Sequence, residues 1–251
     1  MPRCPALVPF ALSLLTLSVA ADCRALERYE GLAHDSKTGR LLYLESHWIE
    51  SGRRLVLYRC PSGEAFARKL VVGATAAPDF ELVDGRDGYR EGVRSRAGIR
   101  EVYSRASADA PERRKSLPAE GDQVIDAGFD AYVRQRWDAL AKGQDKRIAF
   151  VIPSRLQSMD FVLSPLPSSA GSRRFGLALG AWYGGLLPGI TVTYANDRRL
   201  VRFEGIGNIR TAAGKYPDVR IEFPRDRRGV ATEAELVVAT RMPLVRSCPR
   251  A

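Results

Sequence analysis

The chain has 251 residues, of which 45% are hydrophobic, 8% aromatic and 27% charged. That balance supports a sizeable buried core and excludes a disordered chain, a collagen and a disulfide-dense miniprotein. Lys and Arg number 39 against 29 Asp and Glu, a formal charge of +10 carried mainly by arginine. The short basic runs are scattered beside Pro, Gly or Asp in expected turns, which argues against a nucleic-acid footprint and leaves an anionic envelope component as a partner for the surface.

Residues 1–21 have the layout of a cleaved signal peptide. Arg3 is the positive start, Ala6 to Leu17 the apolar stretch, and Ser18-Val19-Ala20-Ala21 the small-residue site, with cleavage after Ala20 or Ala21. Residues 22–251 are then a single exported domain, expected in the periplasm. Beyond Ala21 no uninterrupted apolar run approaches the roughly 18 residues of a membrane helix. The most apolar piece, Phe175 to Val192, is broken by Gly176, Gly180, Gly184, Gly185 and Pro188.

Strand signals dominate the domain. Tyr29 to Asp35, Arg40 to Glu50 and Arg53 to Arg59 are rich in Leu, Val, Tyr and Trp and are joined by Ser36-Lys37-Thr38-Gly39 and Ser51-Gly52, which predicts a three-stranded meander. Short strands follow at Glu64 to Val72, Asp79 to Val83, Tyr89 to Arg94 and Gly98 to Arg105. A polar loop is expected near 106–120, where prolines and charges gather. Asp126 reads as the N-cap of a helix whose Phe129, Val133, Trp137 and Leu140 form one apolar stripe, with Asp130 in the first turn and Gly143 ending it. Further strands are predicted at Arg147 to Ile152, Met159 to Ser164, Arg174 to Trp182, Gly189 to Ala195, Arg199 to Gly205 and Val219 to Phe223. Leu186-Leu187-Pro188 could form a short helical turn, and a closing helix is predicted over Ala231 to Thr240. The fold class is therefore mainly β (α+β): a single antiparallel meander curved into an open or half barrel packed on one amphipathic helix.

Three stretches carry a resemblance. Tyr29-Glu30-Gly31-Leu32-Ala33-His34-Asp35 with Gly39 to Tyr43, Asp126-Ala127-Gly128-Phe129-Asp130, and Ile190 to Tyr194 leading through Arg199 to Gly205 and Asn208-Ile209 resemble exported bacterial proteins of unknown function. At fold level the domain is distantly similar to periplasmic lipoprotein carriers, whose open barrel holds acyl chains. Neither resemblance assigns a reaction.

Strong catalytic and cofactor signatures are absent from the sequence: it has no Gly-x-Ser-x-Gly, His-Glu-x-x-His, Cys-x-x-Cys, Walker A or dinucleotide glycine motif. No metal or cofactor is expected, and His34 and His47 lie more than about 10 Å apart along their strands. Two sets of residues remain. An apolar ligand cavity would be lined by Trp48, Trp137, Phe161, Leu177, Trp182 and Tyr183, with the nearby glycines removing side-chain volume. A polar set of Glu30, Glu45, His47 and Tyr58 could support acid-base work, although the opposite face, with Leu42, Leu44 and Trp48, looks like the core and leaves this set on a solvated exterior. Cys23 and Cys60 fall at opposite ends of the meander, so Cys248 pairs with one of them, and Cys60 with Cys248 is preferred. The expected function is a non-catalytic, carrier-like binding protein for a lipid or other amphiphile. A structural or accessory envelope protein with a basic surface, or an enzyme using the Glu45 and His47 face, is the alternative.

Overall fold

The computed structural model describes residues 26–118, 122–180 and 189–249. The expected signal segment, Cys23, Trp182, Tyr183 and the turn expected at 186–188 lie outside them. Eight strands make up the first half: β1 (Leu26–Asp35), β2 (Leu41–Glu50), β3 (Arg53–Arg59), β4 (Ala65–Val72), β5 (Asp79–Asp84), β6 (Arg90–Arg96), β7 (Ile99–Arg105) and β8 (Arg113–Ser116). The second half holds β9 (Gln123–Ile125), helices α1 (Phe129–Gln135) and α2 (Trp137–Ala141), β10 (Lys146–Ile152), β11 (Gln157–Leu166), β12 (Ser172–Leu179), β13 (Ile190–Ala195), β14 (Leu200–Ile206), β15 (Asp218–Glu222), β16 (Arg228–Ala231) and α3 (Glu233–Arg241).

All sixteen strands belong to one sheet, and β1 is its middle. The order runs from β8 down to β1, then from β15 down to β9, with β16 alongside β1. Antiparallel pairing prevails, and only β9 lies parallel to its neighbour β10. The edge strands β8 and β9 are adjacent in sequence, so the sheet has to curl until its two edges approach. They do not pair, and the sheet stays open. Local contacts bridge the seam: Ile125 N–H donates to Ala76 O at 3.0 Å, Arg100 Nη1 reaches Gln123 Oε1 at 3.4 Å, and the Pro153–Arg155 turn packs on β6 and β7.

Turn chemistry sets the first register. Asp35 accepts from the Lys37 and Thr38 amides at 3.0 and 2.8 Å, and Gly39 and Gly52 take φ of 70° and 75°, where a Cβ would be strained. The polar loop expected near 106–120 contains β8, missed because its four residues are all exposed and charged or polar, so no alternation marks it. The expected helix is divided at Arg136, yet its stripe of Phe129, Val133, Trp137 and Leu140 is buried against β10 to β13 as the pattern requires.

Two apolar clusters fill the concave side, one under β1 to β7 and one under the helices. A third lies on the convex side, where α3 covers Leu26, Trp48, Leu55, Leu57 and Ala65. Thr232 and Glu235 cap α3 reciprocally. The tail beyond α3 runs back over the sheet, with Val245 N–H on Ala65 O at 2.8 Å, and ends in the Cys60–Cys248 disulfide, whose Cα atoms are 5.4 Å apart.

That bridge spans 188 residues of chain, so its removal releases much unfolded-state entropy. Cys248→Ser is expected to cost about 2–5 kcal/mol in urea unfolding, with the far-ultraviolet spectrum unchanged.

Candidate functional site

The site is built from residues that share a face by register. Tyr29 pairs with His47, His47 with Val56, Glu45 with Tyr58, and Val56 with Lys69, so Tyr29, Glu45, His47, Tyr58 and Lys69 all point to the concave side. The expectation of a solvated face is overturned: Glu45 is 5%, His47 7%, Tyr58 1% and Lys69 3% exposed. The alternation misled because the convex side is also covered, by α3 over Trp48. Glu30 belongs to that other side. It accepts from Ser46 Oγ at 3.2 Å and from Arg28 and Arg227, and Tyr29 takes the place foreseen for it.

Asp126 is not a helix cap. No side-chain cap bond forms at the start of the Asp126–Gly128 turn, and Oδ2 instead meets Lys69 Nζ at 2.6 Å and accepts from Asn208 Nδ2 at 3.1 Å. Burial alone would lower the Lys69 pKa, but the Asp126 carboxylate overrides it and the ammonium is raised above its ordinary range. Burial likewise opposes ionisation of Asp126, and Lys69 outweighs it, holding the carboxyl below its ordinary value. His47 Nε2 lies 3.2 Å from Glu45 Oε2, and its ring stacks on Tyr29 with centroids 4.3 Å apart. Burial lowers the His47 pKa despite the Glu45 hydrogen bond, while the Tyr29 phenol is pushed up to about 12, mainly by burial.

These groups line a cavity of about 110 Å³ whose remaining walls include Val192, Leu200, Phe203, Ile221 and Phe223. A second cavity of about 240 Å³ lies toward the β2–β3 turn and shares Tyr29, Arg54, Ala127, Asp130 and Leu200 with the first. Among the residues lining the inner cavity, His47 Nδ1, Arg54 Nε and Asn208 Oδ1 are solvent-shielded atoms with no hydrogen-bond partner in the protein. Such atoms are costly unless something satisfies them. Gly31 helps shape the wall, since a Cβ there would come within 2.6 Å of the Phe223 ring.

The predicted aromatic cavity is distributed differently. Trp137 packs edge-on against Phe175 and Tyr194 at 5.5 and 5.7 Å, with Leu177 buried in the same cluster and Phe161 partly buried against it. Trp48 lies across the sheet from them in the convex cluster, with the guanidinium groups of Arg28 and Arg59 at 5.7 and 5.8 Å from its ring centroid. The volume left by Gly176 is taken by Leu166, whose Cδ1 would stand 3.2 Å from an added Cβ. Among the described residues no group of three or more His, Cys, Asp or Glu is placed to hold a metal ion, and no helix is long and apolar enough to cross a membrane.

Sequence reasoning missed Tyr29, Arg54, Lys69 and Asn208 as site residues. Arg54 and Lys69 sit among Leu and Val in strands without clean alternation, so their inward direction follows only from the register.

Breaking the ion pair leaves one charge facing the cavity. Lys69→Met is expected to destabilise the fold by about 2 kcal/mol, less than for a fully buried pair because the Asp126 side chain keeps 38% of its exposure. Adding Asp126→Asn should recover part of that loss in a double-mutant cycle. For His47 the folded-state pKa lies below the unfolded 6.5, so unfolding takes up a proton. Its contribution is full above that value and declines as pH falls. The loss of urea stability between about pH 7.5 and 5.5 should therefore be smaller in His47→Gln than in the wild type.

No family model and no curated protein matches the sequence. Among solved structures, the chain is similar to the β-barrel-like protein of the domain of unknown function DUF1849 from Brucella abortus, at 8% identity and a TM-score of 0.47, covering 83% of this chain and 98% of that one.

Proposed function

We propose that the protein is an exported, non-catalytic binding module that holds a small amphiphilic ligand inside its rolled sheet. The observation that carries this reading is the inner cavity, walled by Val56, Val192, Phe203, Ile221 and Phe223, beside buried polar atoms without protein partners, and opening onto an outer cavity with many charged residues in its lining. Ligand sites commonly combine apolar walls with a few convergent polar groups. Size narrows the cargo. Each cavity is below the usual range of about 300–1,000 Å³ and the two together reach its lower end, which suits a single short chain with a polar head better than the lipoprotein acyl groups suggested by the carrier similarity.

A second reading, general-base catalysis by His47, is favoured by its unpartnered Nδ1 and by a lowered pKa that keeps the imidazole neutral near pH 7. One experiment separates the two. Native mass spectrometry on protein purified from a bacterial periplasm without detergent is expected to give a stoichiometric adduct that solvent extraction recovers unchanged. Val192→Phe, which places a ring in the inner cavity, should abolish it. A clean apo mass, retained after incubation with short single-chain amphiphiles, would sink the binding reading, and release of a converted molecule would favour catalysis.

A further inference from the structure

We infer that the ligand is an anionic amphiphile whose carboxylate or phosphate head is held by Arg54, with Tyr29 as a second donor. The inference rests on the binding reading above and adds the chemistry of the head group.

Of the described cations lining the two cavities, the exposed Arg53 and the part-buried Arg54 have no ion pair, and only Arg54 lines both. Lys69 is matched by Asp126, Arg134 by Asp130 at 3.1 Å, and Arg228 by Glu27 at 3.7 Å, while His47 leans on Glu45. Arg54 stands at the boundary, lining both cavities, and among the described residues no carboxylate lies within ion-pair distance of it. Its guanidinium donates to the Ala127 carbonyl and borders the Tyr29 hydroxyl. Nε is shut off from solvent and has no partner. Asp130 and Asp126 act on this guanidinium from beyond ion-pair distance, so its donor fork can still take a planar carboxylate or a phosphate as a direct partner.

The neighbours fit the same head group. Tyr29 keeps its proton throughout the physiological range and so can only strengthen the donor set, and Arg228 lies over its ring at 4.7 Å, adding positive potential at the mouth. Inward of Arg54, Val56, Phe203, Leu200 and Phe223 offer walls for a short hydrocarbon. The arrangement places the charged end where the two cavities meet, with the apolar end free to extend into the inner one.

The test uses calorimetric titration of purified protein with octanoate, octyl phosphate and the uncharged octanol, on the wild type and on Arg54→Met and Arg54→Lys. Octanoate or octyl phosphate should bind the wild type at least about tenfold more tightly than octanol. Arg54→Met should bring the anions down to the octanol level measured on the same variant, with Arg54→Lys intermediate. The preference between octanoate and octyl phosphate assigns the head to a carboxylate or a phosphate monoester, and inorganic phosphate should compete only in the second case. Equal binding of octanol and both anions to the wild type overturns the anchor while the binding reading stands. Binding of none of the three overturns both. If Arg54→Met does not fold, as judged by circular dichroism, the wild-type preference and the Arg54→Lys variant decide the matter.

Discussion

The Lys69 to Asp126 ion pair ties the two halves of the molecule together. Lys69 comes from the fourth strand of the first meander, and Asp126 from the turn that starts the second half, just before the helices cross the concave face. An ammonium that is almost fully buried must have a partner or lose its charge, so the turn cannot drift from the sheet without exposing that cost. Asn208 extends the constraint to the far side by bonding Asp126 and reaching Tyr58. With the turn fixed, Ala127 and Asp130 stand over β3, and the cavities take their shape from the gap that remains.

The same constraint explains why the core is split. Apolar packing is continuous beneath the helices and again beneath β1 to β7, and the polar set lies where the two clusters meet. A sheet of this size could have been closed with hydrocarbon alone. Instead Glu45, His47, Lys69, Asp84, Glu91 and Ser104 are all buried polar residues. Glu91 shows the cost: burial raises its pKa despite the Tyr89 hydroxyl 2.6 Å away. Buried polar groups of this kind sacrifice stability, and their concentration inside the roll marks it as more than packing space.

Much of the architecture was legible in the sequence. Gly and Asp turns, short Val- and Tyr-rich runs and the Phe129 to Leu140 stripe give the strand count within a few, the curved sheet and the crossing helix. What the residues alone could not give was direction. In β2 the two faces carry Leu42, Leu44 and Trp48 against Tyr43, Glu45 and His47, and hydrophobicity chooses the wrong one because α3 buries a convex patch that a simple half barrel would leave wet. Asp126 was misread for a related reason: an acid ahead of a helix is ordinarily a cap, and only the register of β4 brings Lys69 to it. Strand rise indicates only that Cys248 takes part in the bridge; Cys60 as its partner is a preference between two open pairings, and it is the one formed.

An unclosed sheet leaves two edges able to recruit strands from other molecules. The β8 edge presents Arg113, Arg114, Lys115 and Ser116, all exposed, so a second copy approaching it would set like charges against one another at strand spacing. The other edge is three residues long and turns at once into the Asp126–Gly128 turn, too short a template for extended pairing. The roll thus keeps its seam without becoming a nucleus for aggregation, a quality of use to a β-rich chain at high local concentration, where colloidal solubility rather than folding stability sets the limit.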